Sequence, residues 1–127
     1  MADPVVPTPE QSALLSELPS RKPVVMINLL QFKRPDGAAH YERYAQQVGP
    51  HLAAVGARPL FVGRAQAFVI GEGVRPWWDA ILVVEYPTPA AFTTMVTSEA
   101  YAEVHVHRAA ALERAELIAT NLWELPT

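Results

Sequence analysis

Arg108 stands where a helix is expected to bury only apolar groups. Residues 99–115, EAYAEVHVHRAAALERA, have helical periodicity. At about 100° per residue, Tyr101, Val104, Ala111, Leu112 and Ala115 share one face, and Arg108 falls in the middle of it. A cation in a core-facing stripe needs a partner or water, because burying it alone costs more than a helix can supply. Two chemistries follow. A fixed guanidinium fork can hold a planar anion, a carboxylate or an enolate. Alternatively, Arg108 pairs with Asp79, Glu85 or Glu113 and only holds the fold together. His105 and His107 flank Arg108 on opposite sides. Two residues apart on a helix, their rings point about 160° apart. They cannot chelate one metal unless the backbone is extended there. Either one, facing a pocket, can act as a general base near neutral pH. The alternative is a histidine satisfied by an ordinary hydrogen bond.

Other polar groups occupy apolar settings. Asn28 interrupts the run VVMINLLQF and shares a face with Val24, Met26, Leu30 and Phe32. A buried amide must be hydrogen-bonded, to a ligand or water or to a structural partner such as Tyr41 or Tyr44. Those two tyrosines lie one turn apart on the buried side of a helix, where tyrosine packs its ring and leaves its hydroxyl at the rim. Tyr101 shares the face of Arg108. Arg64 and Gln66 share one strand face, which at a sheet edge is solvent-exposed. Trp78 can wall a pocket for a flat ligand or serve as a core or dimer contact. Asn28, Tyr41, Tyr44, Arg64, Trp78 and Tyr101 form the candidate substrate-binding set.

The elements that position these residues follow from pattern. Thr8-Pro9-Glu10-Gln11 marks a helix start that runs to about Leu18. Val24–Phe32 is predicted as a strand, apolar on both faces and therefore covered on both. After a turn at Pro35-Asp36-Gly37, residues 38–55 have helical spacing. Gly49-Pro50 interrupts that helix, and Gly56 suits its C-terminal cap. Residues 59–70 and 78–86 are predicted as the second and third strands. Short helix 90–96, the helix 99–115 and a last strand 116–125 complete the order. After the first helix the pattern is β-α-β-β-α-β, the split βαβ arrangement of an α+β, ferredoxin-like fold. It predicts a four-stranded antiparallel sheet with helices on one face and an extra N-terminal helix. Residues 1–22 form an arm and short helix, and residues 23–127 the domain.

Because helices cover only one face of such a sheet, a second copy is the expected cover for the other. We therefore expect a homodimer packed sheet to sheet. The alternative is a monomer whose residues 1–18 cover the sheet.

Composition narrows the function classes. The 127 residues suit one domain, and half of them are apolar, enough for a core. Ten basic and thirteen acidic side chains give a net charge of −3, with no basic stripe for nucleic acid. No window has the length of a membrane span, and the N-terminus lacks the pattern of a secretory signal. With no cysteine, there is no disulfide, thiolate nucleophile or cysteine metal site, which suits a cytoplasmic protein. Neither a phosphate-binding loop, a dinucleotide fingerprint, a nucleophile elbow nor a credible metal cluster is present.

Thr8-Pro9-Glu10-Gln11, VVMINLLQF at 24–32, Tyr41 with Tyr44, Val62-Gly63-Arg64, Trp78-Asp79, EYPTPAAF at 85–92, and Tyr101 with HRAAALE at 107–113 form a recognisable set. Together these segments resemble the domain-of-unknown-function family 1330 of the dimeric α/β-barrel superfamily. The resemblance implies the fold and a dimer. It favours His107 beside Arg108 as the catalytic pair, but it carries no general activity, because fold does not choose among the superfamily's chemistries.

The first functional expectation is a small-molecule protein without a bound cofactor, acting as a cyclase, isomerase or monooxygenase on a carbonyl-bearing or aromatic metabolite. Arg108 would hold an oxyanion, His107 would move a proton, and Asn28 with a tyrosine would orient the substrate. A second reading is haem binding or degradation. Residues 91–107 resemble the haem-degrading members of the superfamily, which would give Asn28, Tyr86 and His105 the haem-facing roles. A third reading is a non-catalytic dimeric module for a metabolite or a partner.

Overall fold

The computed structural model describes residues 6–126. Residues 1–5 of the expected N-terminal arm lie outside that range. Helix α1 (Pro9–Ser16) begins with a reciprocal cap. The Thr8 hydroxyl accepts the Gln11 N–H at 3.1 Å, and the Gln11 side chain accepts the Thr8 N–H at 2.9 Å.

Four strands form one antiparallel sheet: β1 (Val24–Phe32), β2 (Arg58–Arg64), β3 (Ala80–Tyr86) and β4 (Leu112–Thr120). Their order is β2-β3-β1-β4, so β1 and β3 are central and β2 and β4 are edges. Helix α2 (Gly37–Ala54) joins β1 to β2, and α3 (Pro89–Val96) with α4 (Glu99–Ala111) joins β3 to β4. This is the expected split βαβ order.

Alternation along β1 divides the sheet into two faces. Val24, Met26, Asn28 and Leu30 point inward and are buried. Val24 and Met26 cluster with Val84 and Tyr86 of β3, Tyr44, Val48 and Leu52 of α2, Phe92 and Met95 of α3, and Tyr101 and Val104 of α4, whereas Leu30 packs with Ala111 and Leu112. Val25, Ile27 and Leu29 point the other way. Ile81 and Val83, Phe61 and Ile118 face that side with them, because they pair across the ladders. No described helix covers this open face. Phe61 is 56% exposed and Ile118 45%.

Several boundaries differ from expectation. The last helix ends at Ala111 rather than Ala115, and β4 occupies 112–120 rather than 116–125. Ala111, Leu112 and Ala115 suit a helical face, but Leu112 and Ala115 also pair with Phe32 and Leu30 of β1. The ladder to a central strand outweighs local helical spacing. The second strand stops at Arg64, since pairing with β3 ends there, and residues 65–79 form a loop. The third strand starts at Ala80, which leaves Trp78 in that loop. Pro50 does not divide α2, which continues past it to Ala54. Gly56 follows the helix at φ +75°, in the left-handed region favoured by glycine.

The turn from α4 into β4 has no loop. The Ala111 carbonyl accepts the Lys33 N–H at 2.8 Å. It also presses on Gly37 at the start of α2, where an added Cβ would lie 2.5 Å from it. Glycine is required there by proximity rather than by φ.

Candidate functional site

Helix α4 is set by Ser98, whose hydroxyl accepts the Tyr101 N–H at 3.1 Å. Its buried face carries Tyr101, Val104, Arg108 and Ala111, and Arg108 is only 8% exposed. Across from it, α2 buries Tyr44 and holds Tyr41 partly buried, while β3 ends inward at Tyr86. The chain has four tyrosines, and all four converge in this one cluster. The Tyr44 and Tyr101 hydroxyls share a hydrogen bond of 2.8 Å. The Tyr41 and Tyr44 rings lie 5.3 Å apart, and Tyr101 meets Tyr44 edge-on at 6.3 Å.

Burial dominates the electrostatics. It pushes the Tyr41 hydroxyl up to about 12, with the Arg108 charge opposing the rise. Burial raises Tyr44 further, reinforced by Tyr101, and it raises Tyr86 as well. Arg108 lowers all three, so its guanidinium charge is felt by Tyr41, Tyr44 and Tyr86 together. Arg108 can only donate to the buried Tyr41 hydroxyl, whose own proton finds no acceptor in hydrogen-bonding geometry. At neutral pH the hydroxyl stays protonated and is a donor without an acceptor.

The two histidines divide. His105 lies 5.8 Å from the Tyr101 ring, and His51 of α2 approaches the same ring edge-on at 6.3 Å. Both stand at the tyrosine cluster. His107, partly buried, projects elsewhere on the helix. His51 was not among the candidates, although Tyr44, Val48 and His51 lie at helical spacing on α2.

Asn28 faces inward as expected, and its amide donates to the Leu82 carbonyl at 3.0 Å. That partner is neither Tyr41 nor Tyr44. Arg64 and Trp78 are not brought to the cluster. Arg64 is exposed at the end of an edge strand, as the solvent reading of that face expects. Trp78 packs edge-on against Trp77 at 5.4 Å and Phe68 at 6.3 Å in the β2–β3 loop. Two carboxylates considered for Arg108 are engaged by other arginines, Asp79 by Arg34 at 3.1 Å and Glu85 by Arg58 at 2.9 Å. The third, Glu113, is exposed on β4.

One hollow of about 300 Å³ is lined by Gln31, Phe32, Lys33, Arg34 and Glu113. Another of about 100 Å³ lies between Leu18, Pro23, Pro89 and Thr120. Neither is lined by Arg108 or a tyrosine. Among the described residues, no group of three or more histidines and carboxylates is placed to hold a metal. No described helix is long and apolar enough to cross a membrane.

Sheet order, helices on one face and a polar cluster between the layers define an α+β protein of the ferredoxin-like class. The chain belongs to the family described as Domain of unknown function (DUF1330), which matches residues 26–122. It is similar to the structure of RPA0582, a protein of unknown function from Rhodopseudomonas palustris. That match has 29% identity and a TM-score of 0.84, and covers 98% of this chain and 100% of the other. A dimeric protein of unknown function and ferredoxin-like fold from Bacteroides fragilis is 12% identical, with a TM-score of 0.57 over 82% of this chain and 100% of its own. A putative antibiotic biosynthesis monooxygenase from Caulobacter crescentus is 13% identical, with a TM-score of 0.57 over 86% and 97%. These last two likenesses are of fold. No curated protein matches the chain.

Proposed function

We propose that this chain is a homodimeric small-molecule protein, a cofactor-free enzyme of the cyclase, isomerase or monooxygenase kind. Its site lies between the sheet and the helices, where Arg108 and Tyr41 take an oxygen of a carbonyl-bearing or aromatic metabolite. The observation that carries this reading is the Tyr41 hydroxyl, buried beside Arg108 with no acceptor for its proton. A buried donor left unmade costs about 1–3 kcal/mol, a deficit that a ligand oxygen would remove. Tyr41 would donate to that oxygen, and the guanidinium would stabilise the charge that develops on it. The proton-moving role passes from His107 to His105, which stands at the tyrosines. Asn28, tied to Leu82, holds the floor of the site. Since Arg108 is buried and lines neither hollow, entry of a ligand requires a side chain such as Tyr41 to swing aside. The cysteine-free sequence suits a cytoplasmic setting.

The dimer rests on the open face of the sheet. Its apolar residues need cover, and its charges are already paired as Arg58 with Glu85 and Arg114 with Glu116. A second copy can cover this face without stranding a charge.

Haem fits the residues poorly. Tyr86 is 5% exposed and packs edge-on against Phe92 at 5.3 Å, and the Asn28 amide is held by Leu82.

Binding of benzoate and of a panel of β-keto acids, followed by NMR shifts of the tyrosine rings, tests the site. Wild type is expected to bind at least one probe. Tyr41→Phe and Arg108→Lys are expected to lose it, with circular dichroism unchanged. Equal binding by a folded Tyr41→Phe variant would overturn the assignment.

A further inference from the structure

Two apolar segments leave the sheet at its opposite ends, and neither is covered within the chain. The β2–β3 loop, residues 65–79, carries Val69 at 98% exposure, Ile70 at 93% and Val74 at 81%. The tail after β4, residues 121–126, carries Leu122 at 80%, Trp123 at 79% and Leu125 at 59%. Monomeric proteins seldom leave so many large side chains bare in two short segments.

Their positions follow from the ladders. The loop leaves β2 at Arg64, which pairs with Ala80, and Ala80 pairs with Leu30. The tail leaves β4 at Thr120, which pairs with Val25. Five strand residues separate these levels, roughly 17 Å along the sheet. The loop also rises on the open side. Arg114 pairs with Gln31 and therefore faces that side, and Trp77 of the loop stacks over the Arg114 guanidinium at 3.9 Å. Strand β4 thus has Trp77 above its first end and the tail leaving its last.

A second copy can be laid on the open face in two ways. With strands running the same way, both loops would rise into the same end and collide. With strands reversed, each loop meets the end from which the partner's tail emerges. We infer that the sheets stack with strands reversed, and that the tail of each copy packs on the β2–β3 loop of the other. Leu122 and Trp123 of the tail then lie against the partner's Val69, the partner's Ile70 and the partner's Val74. Six extended residues reach roughly 20 Å, enough to lie across a loop at the sheet's end. A tryptophan can bury about 150–250 Å², a sizeable share of the roughly 800 Å² each partner contributes to a stable interface. This inference rests on the dimer of the proposed function.

The test is cross-linking in the full chain, which has no native cysteine. Ile70→Cys and Leu122→Cys proteins are mixed, left to exchange subunits, and treated with a short bis-maleimide. The mixture is expected to give a covalent dimer of unlike chains, and neither protein alone should do so. Sedimentation is run on the same samples and on Trp123→Ala, whose dimer is expected to dissociate at about tenfold lower dilution, as for an interface anchor. Cross-linking of Ile70→Cys to itself would show loops on loops and overturn the arrangement. A dimer that persists with no 70-to-122 link and no effect of Trp123→Ala would remove the clasp and leave the dimer standing. A monomer at all concentrations would remove both.

Discussion

The Tyr44 and Tyr101 hydroxyls, 57 residues apart in sequence, are joined by a buried hydrogen bond of 2.8 Å. It ties α2 to α4 above the inner face of the sheet. Tyr44→Phe leaves the Tyr101 hydroxyl without this partner and is expected to destabilise the fold by about 1–3 kcal/mol. The double variant Tyr44→Phe, Tyr101→Phe replaces both with apolar groups of the same shape. It should lose less than the sum of the singles, and urea denaturation of the four proteins measures the difference.

Tyr41 behaves oppositely. Its hydroxyl proton is buried without an acceptor, so Tyr41→Phe removes a polar group that the fold satisfies only in part. Stability is expected to hold or rise by up to about 1 kcal/mol. A clear loss in urea denaturation would show that the hydroxyl has a structural partner.

Alkaline pH should unfold the protein through these same rings. The folded state raises Tyr41 from 10.0 to about 12, so it holds this proton more tightly than the unfolded chain does. Below pH 10 both states are protonated and the contribution to stability is fully present. As pH rises from 10.0 toward 12, the unfolded state loses its proton first and stability falls. Tyr44 and Tyr86 are shifted in the same direction and steepen the fall. Each group contributes a slope of at most about 1.4 kcal/mol per pH unit. Tyrosinate absorbance from Tyr41, Tyr44 and Tyr86 should therefore appear together with unfolding and not before it.

Gly37 is fixed by the α4–β4 junction. A methyl group there would lie 2.5 Å from the Ala111 carbonyl, which is backbone and cannot turn away. Gly37→Ala is expected to cost about 1–3 kcal/mol by overpacking, despite alanine's better helix propensity. A raised melting temperature would contradict this.

Ile118 faces the open side of the sheet and is 45% exposed in the single chain. Ile118→Asp should leave the monomer folded by circular dichroism and shift sedimentation from dimer to monomer. An unchanged dimer would place the interface elsewhere.

Much of this arrangement is local and could be seen in the residues themselves. The inward face of β1 with Asn28, the cap at Thr8, the left-handed Gly56 and the buried placement of Arg108 depend only on period and on backbone chemistry. Each is decided by neighbours within a few positions. The order of elements then follows, because the helical and strand periods alternate as in a split βαβ unit.

Tertiary structure decided the rest. Helix α4 yields to β4 at Leu112 because β1 offers a ladder that no local pattern reveals. Arg64 and Trp78 fall outside the cluster because pairing with β3 ends at the Arg64–Ala80 pair. His105 and His51 stand at Tyr101 because α2 and α4 pack side by side, a relationship absent from either helix alone. Periodicity determines which side of an element is buried. Only long-range packing determines what that side meets, and here it gathers four tyrosines around one arginine.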